Sequence, residues 1–324
     1  MTTDHQNVPT TGAVGVFGSV ITAMVTPFDS DGELDQAGVS TLARSLTRPG
    51  WNDGLVVNGT TGESLMTSDA EKLSVINWAK DAVAGSGAKI TAGVGAGDTR
   101  HSVEMAVAAA EHGADALLVV APYYSRPSQR GMLEHFLAIA DSTPLPVMLY
   151  DIPKRTGVAI EPDTFAAAAE HPRILAVKDA KGDLESSSWV MERTDLAYYS
   201  GDDALNLPLL SIGAVGFVSV VGHLVGDRLR DLLNCYTSGQ VAEARRIHRD
   251  LLPIYQAMFR APAAASVKTA LTSQGLPGGP VRLPLVDLTE DEAAILLQDL
   301  AFFSSLHAAD SNGPALHQPA LGTK

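Results

Sequence analysis

The stretch DTRHSVEMAVAAAEHGADALLVVAP, residues 98–122, holds one helix signal and one strand signal in direct succession. Asp98 suits an N-cap, and Gly113 supplies the left-handed residue that commonly ends a helix. The run ALLVVAP (116–122) is apolar throughout and too short for a helix, which reads as a strand buried on both faces.

The same pairing recurs along the chain. Strand signals lie at 19–25, 53–59, 89–95, 116–122, 146–152, 174–180, 197–203 and 216–222. Between them, SDAEKLSVINWAKDAVAG (68–85) opens with a capping box, Ser68 with Glu71, and closes at Gly85; EPDTFAAAAEHP places Pro162 in a first helical turn. GWNDGLVV, HGADALLVV and IGAVGFVSV echo one another as strand announcements. Eight near-continuous apolar strands alternating with helices predict an α/β protein, a parallel (β/α)8 TIM barrel. A doubly wound sheet is the competing fold, but VTPFDSDGEL (25–34) after the first strand lacks a Gly-x-Gly-x-x-Gly phosphate loop. Beyond the barrel (17–225), helical stretches at 226–238, 240–260 and 289–307 predict a C-terminal helical region over 226–307. Residues 1–16 and 308–324 read as mobile tails.

Composition removes whole classes of function. A net charge of −14 with no basic run argues against nucleic-acid and anionic membrane partners. The single cysteine, Cys235, excludes an intramolecular disulfide framework, and the nine histidines show no zinc-ligand spacing. The N-terminal stretch has no signal-peptide pattern and no run reaches membrane-spanning length, so a soluble cytoplasmic chain is expected.

In such a barrel the chemistry sits at the C-terminal strand ends. Those ends carry Thr26, Thr60, Thr61, Tyr123, Tyr124, Tyr150, Arg155, Lys178, Gly201, Asp202 and Ser219. One lysine among hydroxyls suits Schiff-base chemistry. A desolvated amine attacks a carbonyl, and a positioned hydroxyl relays the proton as water leaves. Alternation puts Ile174, Ala176 and Lys178 on one strand face, with the small Ala176 leaving space beside the lysine.

GLVVNGTTGES, APYYSRPSQ, YDIPKRTG and AVKDA closely resemble the dihydrodipicolinate synthase / N-acetylneuraminate lyase family of class I aldolases, over about residues 18–300. TAMVTPF and YYSGDDALNLP resemble its actinobacterial synthases most. The resemblance implies condensation of pyruvate with L-aspartate 4-semialdehyde in lysine biosynthesis, without a cofactor or metal. It makes Lys178 the imine-forming residue and Tyr150 the central proton donor and acceptor. Tyr150 would be linked to Thr60 and to Tyr124 reaching in from a neighbouring subunit of a homotetramer. Thr61 would hold the pyruvate carboxylate, with Val218 and Gly201 beside the same ligand and Arg155 on the semialdehyde carboxylate.

Sister aldolases acting on sugar acids share the lysine, the tyrosine and the glycine-rich turn; the second tyrosine of PYY and Arg155 favour the synthase. A non-catalytic binding paralogue is disfavoured because the lysine–tyrosine–threonine set is complete. APAAASVK (261–268) departs from the Asn-Pro-x-Pro-x-Lys type of stretch common in relatives, so contacts of that stretch are not carried over. Lysine-inhibited relatives place histidines, an asparagine and a glutamate where this chain has Asp69, Lys72, Gly97 and His101, while Ser64 and Tyr123 are retained. That implies weak or absent inhibition by lysine.

Overall fold

A computed structural model describes residues 10–308 of the chain. Eight strands, β1 (Val20–Ala23), β2 (Gly54–Val57), β3 (Lys89–Gly93), β4 (Ala116–Val120), β5 (Val147–Asp151), β6 (Ile174–Asp179), β7 (Ala197–Ser200) and β8 (Gly216–Ser219), close into a parallel barrel. Each neighbour in sequence is a neighbour in space, and β8 closes on β1 with Ile21 opposite Val218. The expected (β/α)8 architecture is therefore present.

Local sequence accounts for the alternation. The Asp98 side chain accepts the His101 N–H at 2.9 Å and starts the helix Thr99–Glu111; Gly113, at φ +89°, turns the chain back towards β4. Ser68 and Glu71 form the expected capping box of Asp69–Ala82. Alternating strand residues divide the core. Ile21, Ala23, Val56, Leu118, Met148, Ala176, Tyr199 and Val218 fill one cluster within the barrel, while residues such as Leu55, Leu117, Leu149 and Val177 pack with the surrounding helices.

Three expectations are corrected. Residues 10–16, read as part of a mobile tail, form a helix together with Phe17 (Thr10–Phe17). Its fully buried Phe17 meets the Tyr199 ring edge-on, with ring centres 6.3 Å apart. A short, glycine-containing segment carries little helix propensity, and its order comes from packing against the barrel interior. The remaining tail residues, 1–9 and 309–324, lie outside the described residues.

Second, the stretch expected at 226–238 as the start of an appended region runs as a helix to Thr237, separated by a break at Val225 (φ −138°, ψ 37°) from a short helical turn that begins at Gly222, and it belongs with the barrel. It packs on β1 and on the helix Gln36–Leu46 and completes the outer ring. Trp51 Nε1–H donates to the Gly222 carbonyl at 2.9 Å, and the Val25 N–H donates to His223 Nε2 at 3.1 Å. Helical periodicity alone does not distinguish a barrel helix from an appended one. Third, an unexpected helix, Ala263–Ser273, stands between Val241–Met258 and Glu290–Ala308. Among the described residues no helix is long and apolar enough to cross a membrane.

Candidate active site

Tyr150 and Lys178 are register partners at the ends of β5 and β6. Lys178 Nζ lies 4.1 Å from the centre of the Tyr150 ring, and both side chains are buried. Burial pushes the lysine down from 10.5 to about 8, with the Asp203 carboxylate opposing and the Arg155 guanidinium adding to the drop. A useful fraction of neutral amine thus exists near neutral pH.

Burial likewise pushes the Tyr150 phenol up to about 12, against the charge of Arg155 and a hydrogen bond with Thr60. The phenol therefore holds its proton at neutral pH and can donate it. Gly201 faces this pair closely. A Cβ there would stand 2.9 Å from Lys178 Cγ and 3.1 Å from Cε, so only glycine leaves the lysine stem its path.

Thr60 and Thr61 occupy a turn flanked by Asn58 and Glu63, both at φ 57°, in the left-handed region. Asn58 Nδ2 donates to the Lys72 carbonyl at 3.0 Å and the Thr26 hydroxyl to the Gly62 carbonyl at 2.7 Å. A Cβ on Gly62 would lie 3.0 Å from the Met24 carbonyl oxygen, which explains the glycine. Val218, in β8, is buried inside the barrel beside Ile21.

Arg155 projects from a short helix, Pro153–Thr156, that Gly157 ends at φ 79°. Its side chain is exposed, and its charge reaches both Tyr150 and Lys178. Tyr124 stands apart from this cluster: at φ 69° it is 97% exposed, so within one chain it is not packed on the buried Tyr150.

Several supporting residues escaped the sequence reading. Asp203 is buried and accepts from the Ser219 hydroxyl at 2.5 Å, from the Val220 and Val221 N–H groups at 2.9 and 3.0 Å, and from Asn206 Nδ2 at 3.3 Å. It is the anion that opposes the drop in the Lys178 pKa. YYSGDD offers two aspartates, of which strand-end reasoning selects Asp202; in the fold Asp202 instead caps the following turn by accepting the Ala204 N–H at 3.1 Å.

Behind the lysine, Asp179 accepts from the Lys181 and Gly182 N–H groups and from the Ser187 hydroxyl. Asp151 accepts the Ile160 N–H at 3.1 Å and pairs with Lys181 at 3.4 Å, which ties down the segment after Arg155. Asp69 pairs with Lys72 at 3.2 Å and with His101 at 2.8 Å. Among the described residues no cluster of three or more His, Cys, Asp or Glu could hold a metal ion.

A lysine poised as an amine beneath a protonated tyrosine, itself bonded to a threonine, can form an imine with a keto acid and move protons on it. Residues 16–301 match the dihydrodipicolinate synthetase family. The chain belongs to that family. It is 54% identical over 293 residues to 4-hydroxy-tetrahydrodipicolinate synthase 2 of Streptomyces coelicolor, covering 90% of this chain and 97% of the relative. Over 285 residues it is 56% identical to the 4-hydroxy-tetrahydrodipicolinate synthase of Acidothermus cellulolyticus, covering 88% and 92%. Among solved structures, the lysine-bound enzyme of Cyanidioschyzon merolae superposes with a TM-score of 0.87 at 40% identity, covering 89% of this chain and 98% of the other. As a member of this lyase family the chain is an enzyme.

Proposed function

We propose that this chain is a 4-hydroxy-tetrahydrodipicolinate synthase of lysine and diaminopimelate biosynthesis, acting as a cytoplasmic homotetramer. The observation that carries the reading is the buried Lys178 amine 4.1 Å from the Tyr150 ring, with Tyr150 hydrogen-bonded to Thr60.

Neutral Lys178 attacks C2 of pyruvate, and the carbinolamine loses water to give the imine as Tyr150 returns a proton to the departing hydroxyl. Thr61 and the N–H groups of its turn hold the pyruvate carboxylate, with Val218 and Gly201 lining the same space. Loss of a C3 proton gives the enamine, whose C3 attacks the aldehyde carbon of L-aspartate 4-semialdehyde. The amine of the semialdehyde then attacks C2 and displaces Lys178, closing the ring. Carbonyl activation comes from the imine, so no step calls on a cofactor. Tyr124, exposed and held at positive φ, is suited to enter the site of a second copy and extend the Tyr150–Thr60 relay. Incubation with pyruvate, borohydride reduction and peptide mapping should place one pyruvate on Lys178; labelling of any other lysine refutes the scheme.

The pH dependence follows from the lysine. Because its pKa is lowered to about 8, kcat/KM for pyruvate should climb with pH, nearly tenfold per unit well below that value, and flatten above about 8. An initial-rate profile that keeps climbing towards 10.5, the ordinary lysine value, would show that the amine is not desolvated in the free enzyme.

Arg155 anchors the semialdehyde carboxylate. Arg155→Ala should raise KM for the semialdehyde about 10- to 100-fold through loss of a charge-assisted hydrogen bond, while pyruvate trapping persists. An equal rise in both KM values would remove Arg155 from that role.

Inhibition by L-lysine should be weak. Lys72 puts a cation where an incoming ammonium would sit, at a cost of about 1 to 4 kcal/mol, or roughly one to three decades of affinity, which Asp69 offsets only in part while it also bonds His101. Initial rates at saturating pyruvate should show no half-inhibition below millimolar lysine, and micromolar inhibition would refute this.

A further inference from the structure

The turn that carries Thr60 and Thr61 ends at Glu63, whose side chain is fully buried. Glu63 Oε1 lies 2.5 Å from Nζ of Lys268, itself buried, and Oε2 accepts the backbone N–H of Arg282 at 2.8 Å. Lys268 also donates to the Pro280 carbonyl at 2.7 Å and sits 4.2 Å from the centre of the Phe28 ring. The Arg282 guanidinium lies 4.1 Å from the centre of the same ring and donates to the carbonyls of Gly32 and Met66 and to Glu71 Oε1.

A pair buried this completely is weak evidence for stability, because apolar residues of similar volume often serve as well. What it supplies is geometry. Asn58, Gly62 and Glu63 each have a tether, and those on Asn58 and Gly62 come from residues 72 and 26. Those on Glu63 come from the C-terminal region, more than 200 residues away in sequence. They hold a glutamate at positive φ, where few side chains rest without support, and its own N–H donates back to the Thr60 carbonyl at 3.2 Å.

We propose that Glu63, Lys268 and Arg282 are positioning residues, through which the C-terminal region sets the Thr60–Thr61 turn and so the pyruvate carboxylate site and the hydroxyl partner of Tyr150. This inference rests on the roles given above to Thr60 and Thr61. It assigns a function to APAAASVK, the stretch in which the sequence departs from its relatives while keeping Lys268.

Three variants test it: Lys268→Met, the charge-free pair Glu63→Gln/Lys268→Met, and Arg282→Ala, which keeps the backbone N–H on Glu63, removes the 20% exposed side chain that binds the Gly32 and Met66 carbonyls and Glu71, and leaves no fully buried charge unpaired. Positioning predicts that Lys268→Met and the double variant raise KM for pyruvate about 10- to 100-fold and Arg282→Ala a few-fold, with KM for the semialdehyde changed less than about twofold. The double variant should regain the melting temperature lost by Lys268→Met yet keep the raised KM. A merely structural role instead lowers the number of sites trapped by pyruvate and borohydride at unchanged KM, which would overturn the inference. If Lys268→Met does not fold, the double variant and Arg282→Ala decide, and wild-type KM for pyruvate in both overturns it. Absence of pyruvate trapping on wild-type Lys178 brings down the parent reading instead; trapping in the wild type with unaltered variants brings down only the inference.

Discussion

Lys178→Ala is expected to lower kcat/KM for the condensation by on the order of 10⁴-fold or more while the barrel stays folded. The effect is large because the lysine supplies the covalent path itself, and the described strand-end residues around it offer hydroxyls and no second amine within the barrel mouth. Stability should respond far less than activity. The folded-state pKa of about 8 lies below the ordinary 10.5, so the unfolded chain binds that proton more tightly and the buried ammonium destabilises the fold at neutral pH. This penalty is fully present below pH 8 and fades as pH rises towards 10.5. Alanine removes this penalty but leaves a cavity beside Tyr150 and Gly201, and because the two effects oppose each other the melting temperature at pH 7 should change little. A folded variant that keeps more than about a hundredth of the activity would remove Lys178 from the covalent role.

Tyr150→Phe should cost about 10²- to 10⁴-fold in kcat, the usual range for a positioned acid–base group. The substitution removes one oxygen and leaves a ring that still fills the barrel beside Met148 and Ala176. The hydroxyl is the only part of the side chain that links to Thr60, and its pKa near 12 keeps it a donor at neutral pH. Two consequences separate a proton-relay role from packing. Borohydride should still trap pyruvate on Lys178 in the variant, but slowly, and the melting temperature should stay close to that of the wild type. Trapping at the wild-type rate with unchanged kcat would sink the relay.

Much of this enzyme was legible in single segments. Asp98 and Gly113 bracket their helix by local hydrogen bonding and local φ, and the runs such as ALLVV are short because a parallel strand buried on both faces needs only a few residues. These causes act within a few positions of the chain, so the alternation that produces the barrel could be read without coordinates. With the barrel in place, Thr60, Thr61, Tyr150 and Lys178 lie at strand ends, as strand-end reasoning expects, because each is carried by the strand or turn it terminates.

Other features depended on residues far apart in sequence. The Thr10–Phe17 helix has little propensity of its own and exists because Phe17 fills space beside Tyr199. Asp203 outranks Asp202 at the site only because the β8 end brings Ser219 and two N–H groups onto its carboxylate. Lys268 in APAAASVK looks like an ordinary helix lysine until the C-terminal region folds over Glu63. The amino-acid sequence by itself determined the order of strands and helices and the chemical identity of the groups at the barrel mouth, since those follow from local periodicity and capping. Only the tertiary structure decided which charges are buried together and how far the Lys178 proton is destabilised, because desolvation and Coulomb interactions depend on what long-range packing places around a group.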